Sequence, residues 1–295
     1  MHGFEKVGVF LKNTPLDEAV AAFAVHLGQL GSQEIHCVLV NDPAEGESSK
    51  PIQADELEAR VKSMFPSDMF GRTTCEIREG HPLEQVLRVA RDKNLDLAVI
   101  GRKLPSNQLG LGSKVAKIAR KAPCSVMVVP ELCRPHFGRI LVAVDCSDHS
   151  KLAMETAAAL AKAAGEPHPQ LFALTVRQVA SRYDLAGVTF EECADAQRNY
   201  GQRDLGKFLE EIDSKGISVE PMVLLSEEPA LAITHAAMAK KMDIVVAGSR
   251  GATSTAAALL GSTSENLLMA CACPILLVKE KGETLHFLEA LFSMS

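Results

Sequence analysis

The chain has no tryptophan and only 2 tyrosines in 295 residues. The aromatic platforms on which single-stranded nucleic acids stack are therefore missing. Basic residues are outnumbered: 31 Lys and Arg against 37 Asp and Glu leave a formal net charge of -6. Such a balance argues against non-specific contact with DNA or an anionic membrane. No window approaches the roughly 18 apolar residues of a membrane span. The opening Met1-His2-Gly3-Phe4-Glu5-Lys6 carries no apolar leader behind a basic start. We therefore expect a cytoplasmic protein with no nucleic-acid and no membrane partner. The sequence also lacks His-Glu-x-x-His, Gly-x-Ser-x-Gly and a lysine after a glycine loop. Zinc hydrolysis, esterase and Walker-type chemistry have no support, and no catalytic residue is assigned.

Hydrophobic residues make up 47% of the chain, enough for two domains with real cores. The eight cysteines are scattered, mostly in apolar strand-like runs, and read as reduced, buried thiols. Cys271-x-Cys273 has the spacing of a redox pair or half a metal site, but no second pair or nearby histidine completes a ligand set.

The chain repeats itself. Asp96-Leu-Ala-Val-Ile-Gly101 matches Asp243-Ile-Val-Val-Ala-Gly248, and Pro123 to Val129 matches Ala272 to Val278. The copies lie about 147–149 residues apart, which means two copies of one domain rather than a short-period solenoid. Upstream, Ala19 pairs with Ala153. In the second copy, Arg139 to Val144 reads as a buried strand and Ser147 to Ala164 as a helix, with Ser147 or Asp148 as N-cap and Gly165 near its end. Strands at 171–176, 218–225, 243–248 and 274–278 alternate with helices at 191–212, 229–241 and 262–269. The first copy runs the same way from Val7 to Val129. Apolar strands separated by helices specify an α/β fold with a parallel sheet covered on both faces. The domains are expected at 1–133 and 137–281, joined by a linker with Pro130 and Pro135, with a tail at 282–295. Residues 41–51 and 177–188 read as surface loops. Leu285, Phe287, Leu288, Leu291 and Phe292 suggest an amphipathic helix packed on its own protein.

The most informative run is Gly248-x2-Gly251-x9-Gly261-Ser262, which follows an apolar strand and opens a helix. Glycines admit a ligand close to the backbone, and a helix start offers unpaired N–H groups and partial positive charge. Together they make a phosphate cradle.

On these residues the chain resembles the universal stress protein family over nearly its whole length, as two tandem domains. Gly248, Gly251, Gly261 and Ser262 match the family's ATP-binding signature, and Asp145 ends the first strand where the family places an acidic residue against the nucleotide. The resemblance implies two doubly wound, five-stranded parallel-sheet domains, adenine nucleotide α-hydrolase-like, with ligand at the carboxyl ends of the strands. It implies pairing of the two domains through their last strands and leaves open a further homodimer. The expected cofactor is ATP or another adenine nucleotide, with Mg. In the second domain Gly248 and Gly251 admit the nucleotide, and Gly261, Ser262, Thr263 and Ser264 donate to its phosphates. Asp145 faces the ribose or a phosphate-bound Mg²⁺. Val176 matches the family's apolar contact to adenine, helped by Val144; Ser147 caps its helix or touches ligand, and Arg250 reaches a phosphate or solvent.

The first copy departs from this pattern. It reads Gly101-x2-Leu104-x7-Gly112-Ser113; Leu11 or Lys12 stands at the Asp145 position and Lys114 replaces Thr263. We expect no ATP binding there in the family manner, although Lys12 and Lys114 suit an anion or a different ligand. His149, His26, His36 and His235 read as structural or surface histidines. The leading expectation is a stress-response regulator that holds ATP in its second domain, with little or no catalysis. The alternatives are a slow Mg-dependent ATPase or adenylyl-transfer enzyme, and a nucleotide-free interaction scaffold.

Overall fold

The computed structural model describes residues 4–42, 52–103, 111–165, 167, 169–179, 189–251 and 260–281, without the side chains of 111–113. The chain divides into two compact units. One is built on residues up to His136 with 279–281, the other on Phe137–Val278. Leu104, most of the loops at 41–51 and 177–188 and the tail at 282–295 lie outside the described residues, as does the side chain of Ser113.

In the first unit the order is β1 (Lys6–Leu11), α1 (Leu16–Gln29), β2 (Glu34–Asn41), α2 (Ala54–Met64), β3 (Thr73–Glu79), α3 (Pro82–Asp92), β4 (Leu97–Arg102), α4 (Leu111–Lys121) and β5 (Ser125–Pro130). The second unit repeats it: β6 (Arg139–Ala143), α5 (Asp148–Ala163), β7 (Gln170–Arg177), α6 (Phe190–Glu210), β8 (Val219–Leu225), α7 (Pro229–Ala239), β9 (Ile244–Gly248), α8 (Ser262–Ala270) and β10 (Ile275–Val278). The first unit's strands lie in the order β3-β2-β1-β4-β5, and the second's in the order β8-β7-β6-β9-β10. The pairs within each are parallel. These are two doubly wound α/β sheets, as the alternation of elements predicts.

Continuous apolar runs put the central strands in the interior. Val7, Val9, Leu97, Ala98 and Val99 are fully buried, and so are Ile140, Leu141, Val142, Ile244, Val245 and Val246. Each buried Val, Leu or Ile contributes about 1.5–3 kcal/mol relative to exposure. The outer strands β3 and β8 are only partly covered. An aspartate braces each sheet in the same way. Asp96 accepts the Lys6 amide at 2.8 Å and donates its own amide to the Lys6 carbonyl; Asp243 does the same with Arg139, its carboxylate accepting at 2.7 Å.

Helix ends follow local chemistry. Ser147, not Asp148, caps α5, accepting the Ser150 amide. Gly165, at φ +79°, ends that helix in a left-handed conformation. Thr189 and Glu192 form a reciprocal capping box on α6. Pro82 and Pro229 open α3 and α7, where no intrahelical N–H is needed. Arg177, expected in a loop, is the last residue of β7 because its pairing opposite Leu225 extends the strand.

The cysteines correct an expectation. Cys37, Cys124 and Cys271 are buried, but Cys75 and Cys146 are exposed and the other three are half-buried. Cys75 lies on the partly covered strand β3 and Cys146 lies past the end of β6, so an apolar neighbourhood in sequence does not bury them. Burial pushes the Cys124 thiol up to about 12.

Candidate functional site

In each sheet the first strand is the point where the winding reverses, with the second strand on one side and the fourth on the other. Crevices form at the carboxyl ends of such strands. In the second unit this places the end of β6 beside the end of β9.

The backbone leaves β6 with the Val144 amide donating to Leu174 at 2.8 Å. Val144 is buried and Asp145 is exposed beyond it. Cys146 then turns through φ +61°, an uncommon conformation for a side-chain-bearing residue. Asp145 Oδ1 accepts the Ser147 amide at 3.1 Å and the Ser147 hydroxyl at 2.6 Å, locking the turn into α5.

The glycine run arrives from β9. A Cβ on Gly248 would lie 2.8 Å from the carbonyl carbon and oxygen of His149, so only glycine lets the first turn of α5 rest there. A Cβ on Gly251 would lie 2.8 Å from Asp145 Oδ2. A Cβ on Gly261 would lie 3.4 Å from the Gly251 nitrogen, and the Gly261 amide donates to the Ser249 carbonyl at 2.8 Å. The Ser264 hydroxyl donates to the Gly248 carbonyl at 2.8 Å, pinning the start of α8 to the end of β9. The structure thus brings Asp145, Gly251 and Gly261 together between the N-termini of α5 and α8. Ser262 is exposed, while Thr263 and Arg250 are half-buried. The first amides of α8 have no acceptor within their own helix, and its dipole adds positive potential.

Val176, half-buried on β7, stands next to Arg177, which ion-pairs with Asp204 of α6 at 3.1 Å. The Cys146 thiol points to the Asp204 carbonyl at 3.9 Å. Burial, then Asp145 and Asp204, raise the Cys146 thiol above its ordinary range, with Arg177 opposing. Sequence reasoning missed Arg177, Asp204 and Cys146, because nothing local links positions 146, 177 and 204. It also missed Ser249, whose hydroxyl is buried with no hydrogen-bond partner among the described residues.

The first unit shows what its copy of the site has become. Phe10 faces Ile100 across β1–β4, as Ala143 faces Ala247 across β6–β9. Two residues on, Lys12 therefore answers to Asp145, and Leu11 to the buried Val144. Asn13, at φ +57°, repeats the turn of Cys146. The same correspondence pairs Val20, rather than Ala19, with Ala153. Without an aspartate at position 12, the turn is held from the other side. Asp17, buried in α1, accepts the Lys12 and Thr14 amides at 3.0 and 3.2 Å and ion-pairs with Arg60 at 3.3 Å. Burial raises its carboxyl above the ordinary range, against the pull of those amides and of Arg60. Gly101 keeps a packing role: a Cβ there would lie 2.6 Å from a Leu16 methyl.

The sulfurs of Cys271 and Cys273 lie 3.2 Å apart. Among the described residues no group of three His, Cys, Asp or Glu side chains could hold a metal ion. His149 is half-buried at the start of α5, His26 is half-buried, His235 is exposed, and His36 is buried on β2. No described helix is long and apolar enough to cross a membrane.

Two doubly wound α/β domains, each with a crevice where the winding reverses, define the class of protein. The universal stress protein family model matches residues 3–130 and 136–279. The chain belongs to the universal stress protein family, in a tandem two-domain form. It is 35% identical over 143 residues to a universal stress protein of Thermus aquaticus, covering 48% of this chain and 99% of that one. It is 32% identical over 151 residues to a universal stress protein of Bacillus subtilis, with 48% and 99% covered. The crystal structure of a universal stress protein from Archaeoglobus fulgidus superposes with a TM-score of 0.67 at 20% identity, covering 93% of this chain and 98% of that one. At that identity the likeness speaks for the fold.

Proposed function

We propose that this stress protein holds ATP, or another adenine nucleotide, in its second unit, and that the first unit holds none in that manner. The observation that carries the reading is the meeting of Asp145, Gly251 and Gly261. A Cβ on Gly251 would come within 2.8 Å of the Asp145 carboxylate, so glycine leaves open the space in front of the acid. Amides at the start of α8 suit phosphates. Val144 and Val176 offer apolar surface for the base, and Asp145 suits a ribose hydroxyl or a Mg²⁺ carried by the phosphates. Mg²⁺ supplies charge neutralisation on those phosphates when bound. Ser147 is committed to capping α5 and serves mainly to orient Asp145. In the first unit Lys12 reverses the charge at the corresponding position.

The output on this reading is a change of conformation or interaction rather than turnover, since fast phosphoryl chemistry would require a positioned base and a phosphate-clamping lysine. Calorimetry with Mg-ATP tests it: one nucleotide per chain is expected, and Gly251→Leu should abolish the signal. Absence of ATP binding, or intact binding in that variant, would sink the reading.

A further inference from the structure

The nucleotide reading makes no use of a pair of thiols in the first unit. Cys37 on β2 and Cys75 on β3 stand opposite one another in the parallel register. Neighbouring strands lie about 4.8 Å apart, inside the roughly 4.4–6.8 Å between Cα atoms that a disulfide spans. Both cysteines are free thiols, and their side chains hydrogen-bond to each other. The fold does not require them there. Lys6 pairs with Glu34 as Arg139 pairs with Gln170, so Cys37 answers to Ala173, whose partner on β8 is Pro221. The second unit thus builds the same pair of strands without either sulfur.

The two thiols differ in what can reach them. Cys37 is wholly buried, whereas Cys75 is exposed on the outermost strand of the first unit. The hydrogen bond from Cys37 holds the Cys75 thiol below its ordinary range, against partial burial. The same hydrogen bond, together with burial, pushes the Cys37 thiol well up. The charged groups near Cys75 are Glu58 and Lys62 of α2, which pair with each other at 2.5 Å and pull the thiol in opposite directions. Thiolate is the reacting form of cysteine, and an accessible, acidic thiol beside a second cysteine is the arrangement that oxidises selectively. Cys146 is also exposed but has the opposite setting, its thiol raised by burial, Asp145 and Asp204.

We infer that Cys37 and Cys75 form a peroxide-reactive dithiol site that closes to a disulfide between β2 and β3. The co-reactant is a hydroperoxide. The Cys75 thiolate attacks its O–O bond; that bond breaks, an S–O bond forms, and the leaving oxygen takes up a proton and departs as an alcohol, or as water from hydrogen peroxide. The Cys37 sulfur then attacks the Cys75 sulfenic acid. The S–S bond forms, the S–O bond breaks, and the hydroxide leaves as water with the Cys37 proton. Two thiols lose two electrons and two protons, and the hydroperoxide gains them. The closed bond ties the outermost strand to its neighbour. This inference stands apart from the nucleotide reading of the second unit and survives its failure.

The test treats the reduced full chain with a small excess of hydrogen peroxide, blocks the remaining thiols with iodoacetamide, and maps the unreduced peptides by mass spectrometry. A linked peptide joining Cys37 to Cys75 is expected, and dithiothreitol should restore both thiols. Cys75 should lose its free thiol at least about tenfold faster than Cys146, because the thiolate is the reacting form. Cys37→Ala should abolish the link and leave Cys75 to be captured by dimedone as the sulfenic acid. Cys75→Ser should leave Cys37 reduced, with circular dichroism confirming that both variants fold. No link between Cys37 and Cys75 in the wild type, a link confined to Cys271 and Cys273, oxidation of Cys146 as fast as Cys75, or dimedone on Cys37 in Cys75→Ser would each overturn the inference.

Discussion

Gly251 faces the carboxylate of Asp145 so closely that a Cβ on the glycine would stand 2.8 Å from Oδ2. The two residues are far apart in the chain, and the pairing of β6 with β9 brings their strand ends side by side. Even the smallest side chain at position 251 intrudes on the space in front of the acid. Gly251→Ala should therefore weaken ATP at least tenfold, about 1.4 kcal/mol. Thermal unfolding of the apo protein should change little, because the neighbour is an exposed carboxylate that can yield. Equal ATP affinities in calorimetry would contradict the geometry.

The first glycine of the run answers to packing. Gly248→Ala would drive a methyl into the backbone of His149, which cannot move without shifting α5. Overpacking of that kind costs about 1–3 kcal/mol. At the corresponding position of the first unit, Gly101→Ala meets Leu16 and Val20 side chains, which can rotate. Denaturant unfolding should rank Gly248→Ala as the more destabilising; the reverse order would show that the two glycines do not share one role.

Asp145 separates binding from turnover. On the binding reading, Asp145→Ala weakens ATP in the presence of Mg²⁺, and chelation brings the wild type close to the variant. Phosphate release assays should find no Asp145-dependent product. A slow release lost in Asp145→Ala would instead favour the ATPase reading.

His36 makes stability depend on pH. It is buried on β2, with Nδ1 paired to the Thr74 hydroxyl at 2.8 Å. Burial, and then Lys93, hold its imidazole below the ordinary value of 6.5, while Glu34 opposes. A folded pKa below the unfolded one means that the unfolded chain binds more protons in that interval, so stability falls as pH drops below 6.5 toward the folded pKa. Replacing it, as in His36→Asn, should flatten this part of a melting-temperature profile between about pH 7 and 5. An unchanged slope would show that the histidine does not titrate with folding.

Much of the fold was legible before any coordinates. Period and turn chemistry placed the strands and helices to within a few residues, since buried parallel strands are written as unbroken apolar runs and helix starts as Ser, Thr and Pro. The aspartates at 96 and 243 were visible as a repeat, but their purpose, bracing Lys6 and Arg139, was not. The cysteines misled because a strand's neighbourhood in sequence does not say which positions the next layer covers.

What the sequence determined by itself is therefore local and periodic: two copies of one α/β plan, the glycine spacing after β9, and the helix that begins at Ser262. What only the tertiary structure decided is which distant residues meet. The pairing of β1 with β4 assigned Lys12, not Leu11, to the Asp145 position and left Asp17 to hold the turn. The packing of α3 and α4 over the same strand ends lined the first unit's crevice with Val86, Val115 and Ile118. Local preferences act over a few residues along the chain, whereas a site is closed by sheet register and helix packing between segments far apart in it.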